Sequence, residues 1–331
     1  MNVLSLFDGM SCGQIALNRL GVKYDKYFAS EIDKYAMQIT KQNYPDTIHI
    51  GDVTAIKAAE LSKIDLLMGG SPCQGFSFAG SQLAFDDPRS KLFFEFVRLL
   101  KELKPKYFLL ENVRMKNEYL DIITEQLGVE PILINSALVS AQNRQRYYWT
   151  NIPGIAQPKD KGIVLKDILE TNADEKFKIS NAKKDRVLNT KRGKGFFYNK
   201  YSKKIGTVIS GDHKAPTDGS YLEIQNKPKQ VGIATDINGY DIIKRVYSEN
   251  GKSPTLTTMG GGHREPKVAI DATYWRKLTP LECERLQTVS DNYTQGVSNT
   301  QRYKMLGNGW TVDVICHILS HLYFFKGVIN E

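Results

Sequence analysis

The 331-residue sequence predicts an α/β fold: a mostly parallel sheet flanked by helices, with a smaller, loop-rich basic module inserted before its last helices. Three observations carry this. Residues 3–150 alternate short apolar runs with helical patterns, as successive βαβ units do. Several of those runs end in acidic or small residues, at the carboxyl ends where open α/β sheets bind ligands. From about residue 153 to 264 the pattern gives way to Lys, Gly, Asn and Asp with short β-like pieces such as 205–209. The expected division is therefore 1–155, a sheet domain; 156–264, the basic module; and 265–331, a segment returning to the sheet domain.

The first strand is expected over 3–7 and the first helix over 13–20. Between them Phe7-Asp8-Gly9-Met10-Ser11-Cys12-Gly13 makes a tight turn of small residues, where a ligand can approach the backbone at a helix start. A glycine-containing first turn also occurs without any ligand. The second strand, 27–31, ends in Glu31, placed as an acid that accepts from ribose hydroxyls, with Ile32 beside it. The third, 48–53, ends at Asp52-Val53, suited to an adenine edge; Asp33 and Asp52 also read as helix caps.

An apolar run over 64–70 closes with two glycines and leads into Ser71-Pro72-Cys73-Gln74-Gly75-Phe76-Ser77. Proline fixes its own backbone and holds the preceding residue extended, so Cys73 leaves the strand on a stiffened turn and presents a thiol to the cleft. A small buried hydrophobe is the alternative reading of any free cysteine. Residues 78–89 read as a long loop beside this candidate nucleophile, followed by a helix over 90–103. The strand 107–110 then ends in Glu111-Asn112-Val113. Adjacent parallel strands finish on one side of the sheet, so Glu111 reaches the cleft that holds Cys73; simple solvation of a terminal acid is the alternative.

A strand pair, 132–135 and 147–150, flanks Gln142-Asn143-Arg144-Gln145-Arg146. Arginines two apart on extended backbone point the same way and suit a base or a phosphate, unless they serve surface ion pairs. The last helices are expected over 279–287 and 311–325, with Gly307-Asn308-Gly309-Trp310 as a second small-residue turn between them.

Charge and cysteine usage bound the function. Residues 156–255 hold 20 Lys and Arg against 12 Asp and Glu, nearly all of the chain's net +9. Aromatic residues interleave with this charge in Lys191-Arg192-Gly193-Lys194-Gly195-Phe196-Phe197-Tyr198, which favours a nucleic-acid partner over a merely solvated lysine-rich surface. Four scattered cysteines without a CxxC pair offer neither a zinc site nor a disulfide framework. No metal, no membrane span and a cytoplasmic location are the expectations, since the chain opens directly on a strand without a basic leader.

Taken together, Phe7-Asp8-Gly9, Glu31, Asp52, Pro72-Cys73-Gln74, Glu111-Asn112-Val113, Gln142-x-Arg144-x-Arg146, Leu278-Thr279-Pro280-x-Glu282 and Gly307-Asn308 occur in the order of the cytosine-5 DNA methyltransferase family, which the chain resembles over nearly its whole length outside the basic module. Leu4 to Gly9, Val139-Ser140-Ala141 and Trp310 are similar to the eukaryotic de novo branch, but the chain has no room for that branch's chromatin-reading domains. A stand-alone bacterial or phage enzyme, acting in a bacterial cell or infected host, is the expectation. The chain departs from the family's usual residues at Ser5, Ser11 and Gly309.

The resemblance implies a Rossmann-like S-adenosylmethionine-dependent methyltransferase sheet with a target-recognition domain. It implies that Phe7, Asp8, Gly9, Glu31, Ile32, Asp52, Val53, Pro72, Leu92, Asn308 and Trp310 hold the cofactor S-adenosylmethionine. It implies a cytosine flipped out of double-stranded DNA, with Cys73 adding to C6, Glu111 on N3 and Arg146 on the exocyclic oxygen, and with Arg144 and Arg146 as the catalytic arginines whose positive charge favours the Cys73 thiolate. Gln74, Ser77, Arg89, Arg245 and Tyr247 would contact DNA; arginine reads guanine bidentately, and a phosphate contact is the alternative for Arg245. A restriction endonuclease is a candidate partner, and a monomer is expected. Two relatives compete: the tRNA-methylating branch, against which the large basic insert argues, and idle DNA-binding proteins, which lose the Pro-Cys or Glu-Asn-Val blocks kept here. A NAD-dependent oxidoreductase would leave Cys73 with Glu111 unexplained.

Overall fold

A computed structural model describes residues 1–71, 92–174, 230–234, 240–256, 265–270 and 275–324, with isolated positions between these segments. Its larger sheet has seven strands in the order β3-β2-β1-β4-β5-β7-β6. These are β1 (Asn2–Leu6), β2 (Lys26–Ser30), β3 (Ile48–His49), β4 (Leu66–Gly69), β5 (Tyr107–Val113), β6 (Ile132–Asn135) and β7 (Gln145–Thr150). The first five are parallel; β7 runs antiparallel between β5 and β6. The order turns back at β1 and β4, so a crevice opens beyond their carboxyl ends, the switch point at which such sheets bind ligands.

Strand alternation divides the core into two halves. In β1, Val3 faces one side while Leu4 and Leu6 face the other; β4 repeats this with Leu66 and Met68 against Leu67, and β5 with Leu109 against Phe108 and Leu110. Helix α3 (Leu92–Leu103) covers the second side with Phe93, Phe96, Val97 and Leu99, together with α4 (Asn117–Leu127). Helices α1 (Cys12–Arg19) and α2 (Lys34–Asn43) cover the first.

The predicted elements recur with shifted ends. The third strand is only two residues long, because Gly51 turns the chain at φ +75° and the Asp52 side chain caps the following short turn by accepting from the Thr54 N–H. Asp33 likewise caps α2. Strand β5 runs on to Val113 because Glu111, Asn112 and Val113 pair with Tyr148, Tyr147 and Arg146 of β7, so Glu111 lies inside the sheet rather than at the strand's end.

A second sheet, in the order β11-β10-β9-β8, is built from β8 (Gln230–Ile233), β9 (Arg245–Ser248), β10 (Lys267–Ala269) and β11 (Trp275–Lys277), with the short helix α5 (Asp241–Lys244) leading into β9. It therefore draws strands from both sides of residue 264. Residues 251–256 fasten it to the larger sheet: Ser253 donates to the Ala141 carbonyl at 2.6 Å, Asn143 to that of Ser253 at 2.8 Å, and Leu165 to that of Gly251 at 2.8 Å. Three helices close the chain, α6 (Pro280–Leu286), α7 (Asn299–Asn308) and α8 (Val312–Phe324). The sequence reading lacked α7, whose last residues are Gly307 and Asn308; the turn before α8 is consequently shorter, from Gly309 to Thr311. The 205–209 piece and residues 191–198 lie outside the described residues. Among the described residues no helix is long and apolar enough to cross a membrane, and no group of His, Cys, Asp and Glu side chains is arranged to hold a metal.

Candidate active site

Beyond β1 the backbone turns sharply. Phe7, Gly9 and Ser11 all take left-handed backbone, at φ 56°, 58° and 65°, and for Phe7 and Ser11 this is strain that the surrounding structure must hold. Glu31, just past β2, holds the turn: one carboxylate oxygen accepts from the Gly9 N–H at 2.7 Å, and the other from the Ile32 and Asp33 N–H groups at 2.8 Å each. A Cβ at Gly9 would meet nothing within 4 Å, so the turn faces open space. Ile32 stands 74% exposed, unusual for a large apolar side chain, and Asp52 is exposed at the neighbouring strand end.

Asp8 lies beneath this turn. It is buried, and its Oδ1 accepts from the Tyr27 hydroxyl at 2.8 Å. Burial pushes its carboxyl up to about 6, against the opposing pull of the Ser5, Ser11 and Tyr27 hydroxyls. Two of those hydroxyls belong to positions where the chain departs from its expected pattern, Ser5 and Ser11.

The second half of the site is built on Glu111. Neighbouring β7 carries Arg146, whose Nε lies 2.9 Å from Glu111 Oε1. From the turn before α8, the Trp310 indole N–H donates to Glu111 Oε2 at 3.2 Å. Asn112, next in β5, donates to the Ser71 hydroxyl at 3.1 Å and so ties this cluster to the end of β4. Gly70 allows the approach, since a Cβ there would stand 2.8 Å from Trp310 Nε1 and 3.1 Å from Glu111 Oε2. Cys73 follows two residues after Ser71. Pro72, Cys73, Gln74, Ser77 and Arg89 lie outside the described residues. Leu92, at the start of α3, is half-buried, and Val53 is buried.

The two arginines of the 142–146 stretch have different surroundings. Arg146 joins Glu111, whereas Arg144 is buried and donates to the carbonyls of Leu256 at 3.1 Å, Gly307 at 3.2 Å and Gly309 at 3.1 Å. The expectation that both point one way fails because Arg144 precedes β7, where the extended alternation has not begun. Around it Gln142 donates to Gln287 Oε1 at 3.1 Å and accepts from the Leu256 N–H at 2.8 Å, while Gln287 donates to the Leu306 and Gly309 carbonyls at 2.6 and 3.1 Å. This buried network braces the 307–311 turn from below. Asn308 itself is exposed.

Three of the four cysteines are described, and none is poised as a nucleophile. Burial raises the Cys12 thiol to about 12 and the Cys316 thiol to about 11, and holds that of Cys283 well above its ordinary value.

In the second sheet Arg245 is exposed and Tyr247 buried, two apart on β9; burial raises the Tyr247 hydroxyl, with the Arg245 guanidinium opposing it. Sequence reasoning missed Gly70, although its place in a Gly-Gly pair was a signal. It also missed Lys252, which is fully buried and donates to the carbonyls of Ala137 at 2.8 Å, Ser140 at 3.0 Å and Ile163. Nothing local in the sequence marks a lysine for burial.

Residues 1–323 match the family described as C-5 cytosine-specific DNA methylase. An orphan methyltransferase, M.Rho11sI of Bacillus phage rho11s, is 31% identical over an alignment covering 82% of this chain and 69% of the relative. The type II methyltransferase M1.ScrFI of Lactococcus lactis subsp. cremoris is also 31% identical, over 95% of this chain and 75% of the relative. Among solved structures, that of the Entamoeba histolytica methyltransferase EhMeth shares the fold at a TM-score of 0.68 and 17% identity, over 98% of each chain.

Proposed function

The chain belongs to the C-5 cytosine-specific DNA methylase family, and from that premise we propose that it methylates C5 of a flipped-out cytosine in a short, specific DNA sequence through a covalent adduct between Cys73 and C6. The observation that carries the reading is the placement of Glu111, buried on β5 with Arg146 and Trp310 on its two oxygens, on the strand next to the one that leads to Cys73.

The chemistry explains the residue types. Cytosine C5 is a weak nucleophile, and thiolate addition at C6 converts one hard step into easier ones. The C6–S bond forms as the 5,6-double-bond electrons move to C5. C5 takes the methyl group; loss of its proton and expulsion of the thiolate then restore the ring. Glu111, as hydrogen-bond partner or proton donor at N3, stabilises the charge that develops on addition. Arg146, on the other oxygen of the same carboxylate, is assigned to the exocyclic oxygen, and its positive charge favours the thiolate. Burial holds the three described thiols, Cys12, Cys283 and Cys316, protonated, so none of them competes with Cys73 for this role.

The residues at the first cleft fit S-adenosylmethionine. Glu31 and Asp52 supply two carboxylates at adjacent strand ends for ribose hydroxyls and an amine, the exposed Ile32 offers an apolar face for a purine, and the turn at Gly9 opens on free space. Bound there, the cofactor supplies an electrophilic methyl group on sulfur. Arg245 of the second sheet, with Gln74, Ser77 and Arg89, is proposed to face the DNA; the expectation for Tyr247 is dropped, because its side chain is buried in the core.

Bisulfite sequencing of DNA from cells expressing the protein, beside a Cys73→Ala control, tests the proposal. C5 methylation in one short motif, absent from the control, supports it. Methylation retained in the control overturns the covalent mechanism. No DNA methylation from a folded protein that binds S-adenosylmethionine overturns the substrate assignment and directs the search to tRNA.

A further inference from the structure

The cofactor reading places Trp310 in the S-adenosylmethionine pocket, yet its single polar group is engaged elsewhere. An indole has one N–H and no acceptor, and that of Trp310 is directed 3.2 Å onto Glu111 Oε2. Both groups are 8% exposed, so the bond is shielded from water. Opposite it, Arg146 Nε holds Oε1 at 2.9 Å, so the carboxylate is gripped at both ends by donors from different elements.

Two further features show that the contact is built. Gly70 is the only residue type that fits beside it, because a Cβ would come within 2.8 Å of the indole nitrogen and 3.1 Å of the carboxylate oxygen. The turn that carries Trp310 is also fixed: a Cβ at Gly309 would stand 2.9 Å from Met10 Cε and 3.1 Å from the Met305 carbonyl, and the Gly309 carbonyl is held by both Arg144 and Gln287. A ring packed only for bulk would need neither a glycine facing its nitrogen nor a braced backbone.

We propose that Trp310 is a positioning residue for Glu111, its indole N–H fixing the carboxyl orientation used at N3 of the base, with Gly70 leaving the space the contact needs. The inference rests on the proposed role of Glu111. Arg146 alone would leave the carboxyl free to rotate about its bond to the chain, and misplacement by about an ångström costs up to about a hundredfold in rate.

The test is transfer of labelled methyl groups from S-adenosylmethionine to unmethylated genomic DNA by Trp310→Phe, Gly70→Ala and Glu111→Gln, and by Trp310→Phe combined with Glu111→Gln. Trp310→Phe keeps a ring and loses the donor. It is expected to lower kcat about tenfold or more while calorimetric affinity for S-adenosylmethionine changes less than about threefold. In the Glu111→Gln background the same change is expected to have no further effect, because the two act as one unit. Full kcat in Trp310→Phe, additive losses in the double variant, or weaker cofactor binding at unchanged kcat would each overturn the inference. Gly70→Ala attacks the same contact from the opposite side and is expected to show the same loss of kcat, so the test stands if Trp310→Phe does not fold; normal turnover in Gly70→Ala counts against the inference. Substantial activity in Glu111→Gln would instead sink the role of Glu111 itself.

Discussion

Arg144 donates to the carbonyls of Gly307 and Gly309, 163 and 165 residues further along the chain, and so joins the start of β7 to the turn that carries Trp310. Arg146, two residues on, faces Glu111 instead, and its guanidinium also donates to the adjacent Gln145 carbonyl at 2.8 Å. Two arginines two residues apart thus divide the work: one holds the frame and the other faces the chemistry.

That division predicts opposite phenotypes. Arg144→Lys loses the planar fork that serves three carbonyls and strands buried acceptors, and is expected to cost about 3 kcal/mol of stability. Arg146→Lys keeps the charge beside Glu111 at a half-buried site and is expected to leave the melting temperature within a few degrees while turnover falls at least about tenfold. Thermal melts and single-turnover methylation on both variants check this; equal destabilisation by the two would contradict it.

Thiol chemistry separates the cysteines. Thiolates are the reactive form, and burial holds Cys12, Cys283 and Cys316 protonated at neutral pH. Brief treatment of the folded protein with iodoacetamide at about pH 8, followed by peptide mass spectrometry, is expected to label Cys73 first, with Cys12 and Cys283 labelled only after denaturation. Labelling of Cys12 as fast as Cys73 would remove the elimination argument for the nucleophile.

Lys252 sits in a cage of backbone carbonyls from residues 137, 140 and 163, within the segment that fastens the second sheet to the first. Lys252→Met leaves three acceptors without this donor and is expected to cost about 3 kcal/mol. Because the same segment fixes the sheet that carries Arg245, affinity for DNA is expected to fall more than affinity for S-adenosylmethionine. Melting curves and two binding titrations measure both effects; an equal fall in the two affinities would argue against a role in placing the second sheet.

Much of this was legible in the sequence because strands and strand ends are written locally. The apolar runs around Leu66 and Leu109 named β4 and β5, and an acid after an apolar run named Glu31 and Glu111 as groups at the crevice. What was not legible depends on contacts between distant segments. Arg144 and Arg146 are alike in sequence, and only the return of residues 307–309 beneath the sheet distinguishes them. The extension of β5 through Glu111 required β7 as a partner, and the burial of Lys252 required three carbonyls supplied by two loops. Helix α7 escaped because its residues are largely polar and it ends in Gly307-Asn308, a pair that reads as a turn.

Asp8 makes a pH-dependent prediction whose sign follows from burial. Its carboxyl titrates at about 6 in the folded protein against 3.8 for an unperturbed aspartate, so the folded state binds the proton more tightly than the unfolded chain. The stability contributed by protonation is complete below about 4 and is lost as pH rises through about 6. The interval corresponds to about 3 kcal/mol at the usual 1.36 kcal/mol per unit. Asp8→Asn cannot ionise and still offers an oxygen to the Tyr27 hydroxyl, so it is expected to be more stable than the parent at pH 7. The difference between the two proteins should shrink as pH falls from 7 towards 5, and subtracting their melting temperatures at each pH cancels the titration of other groups. A difference that stays constant across this range would show that Asp8 carries its charge in the folded protein as readily as in the unfolded one.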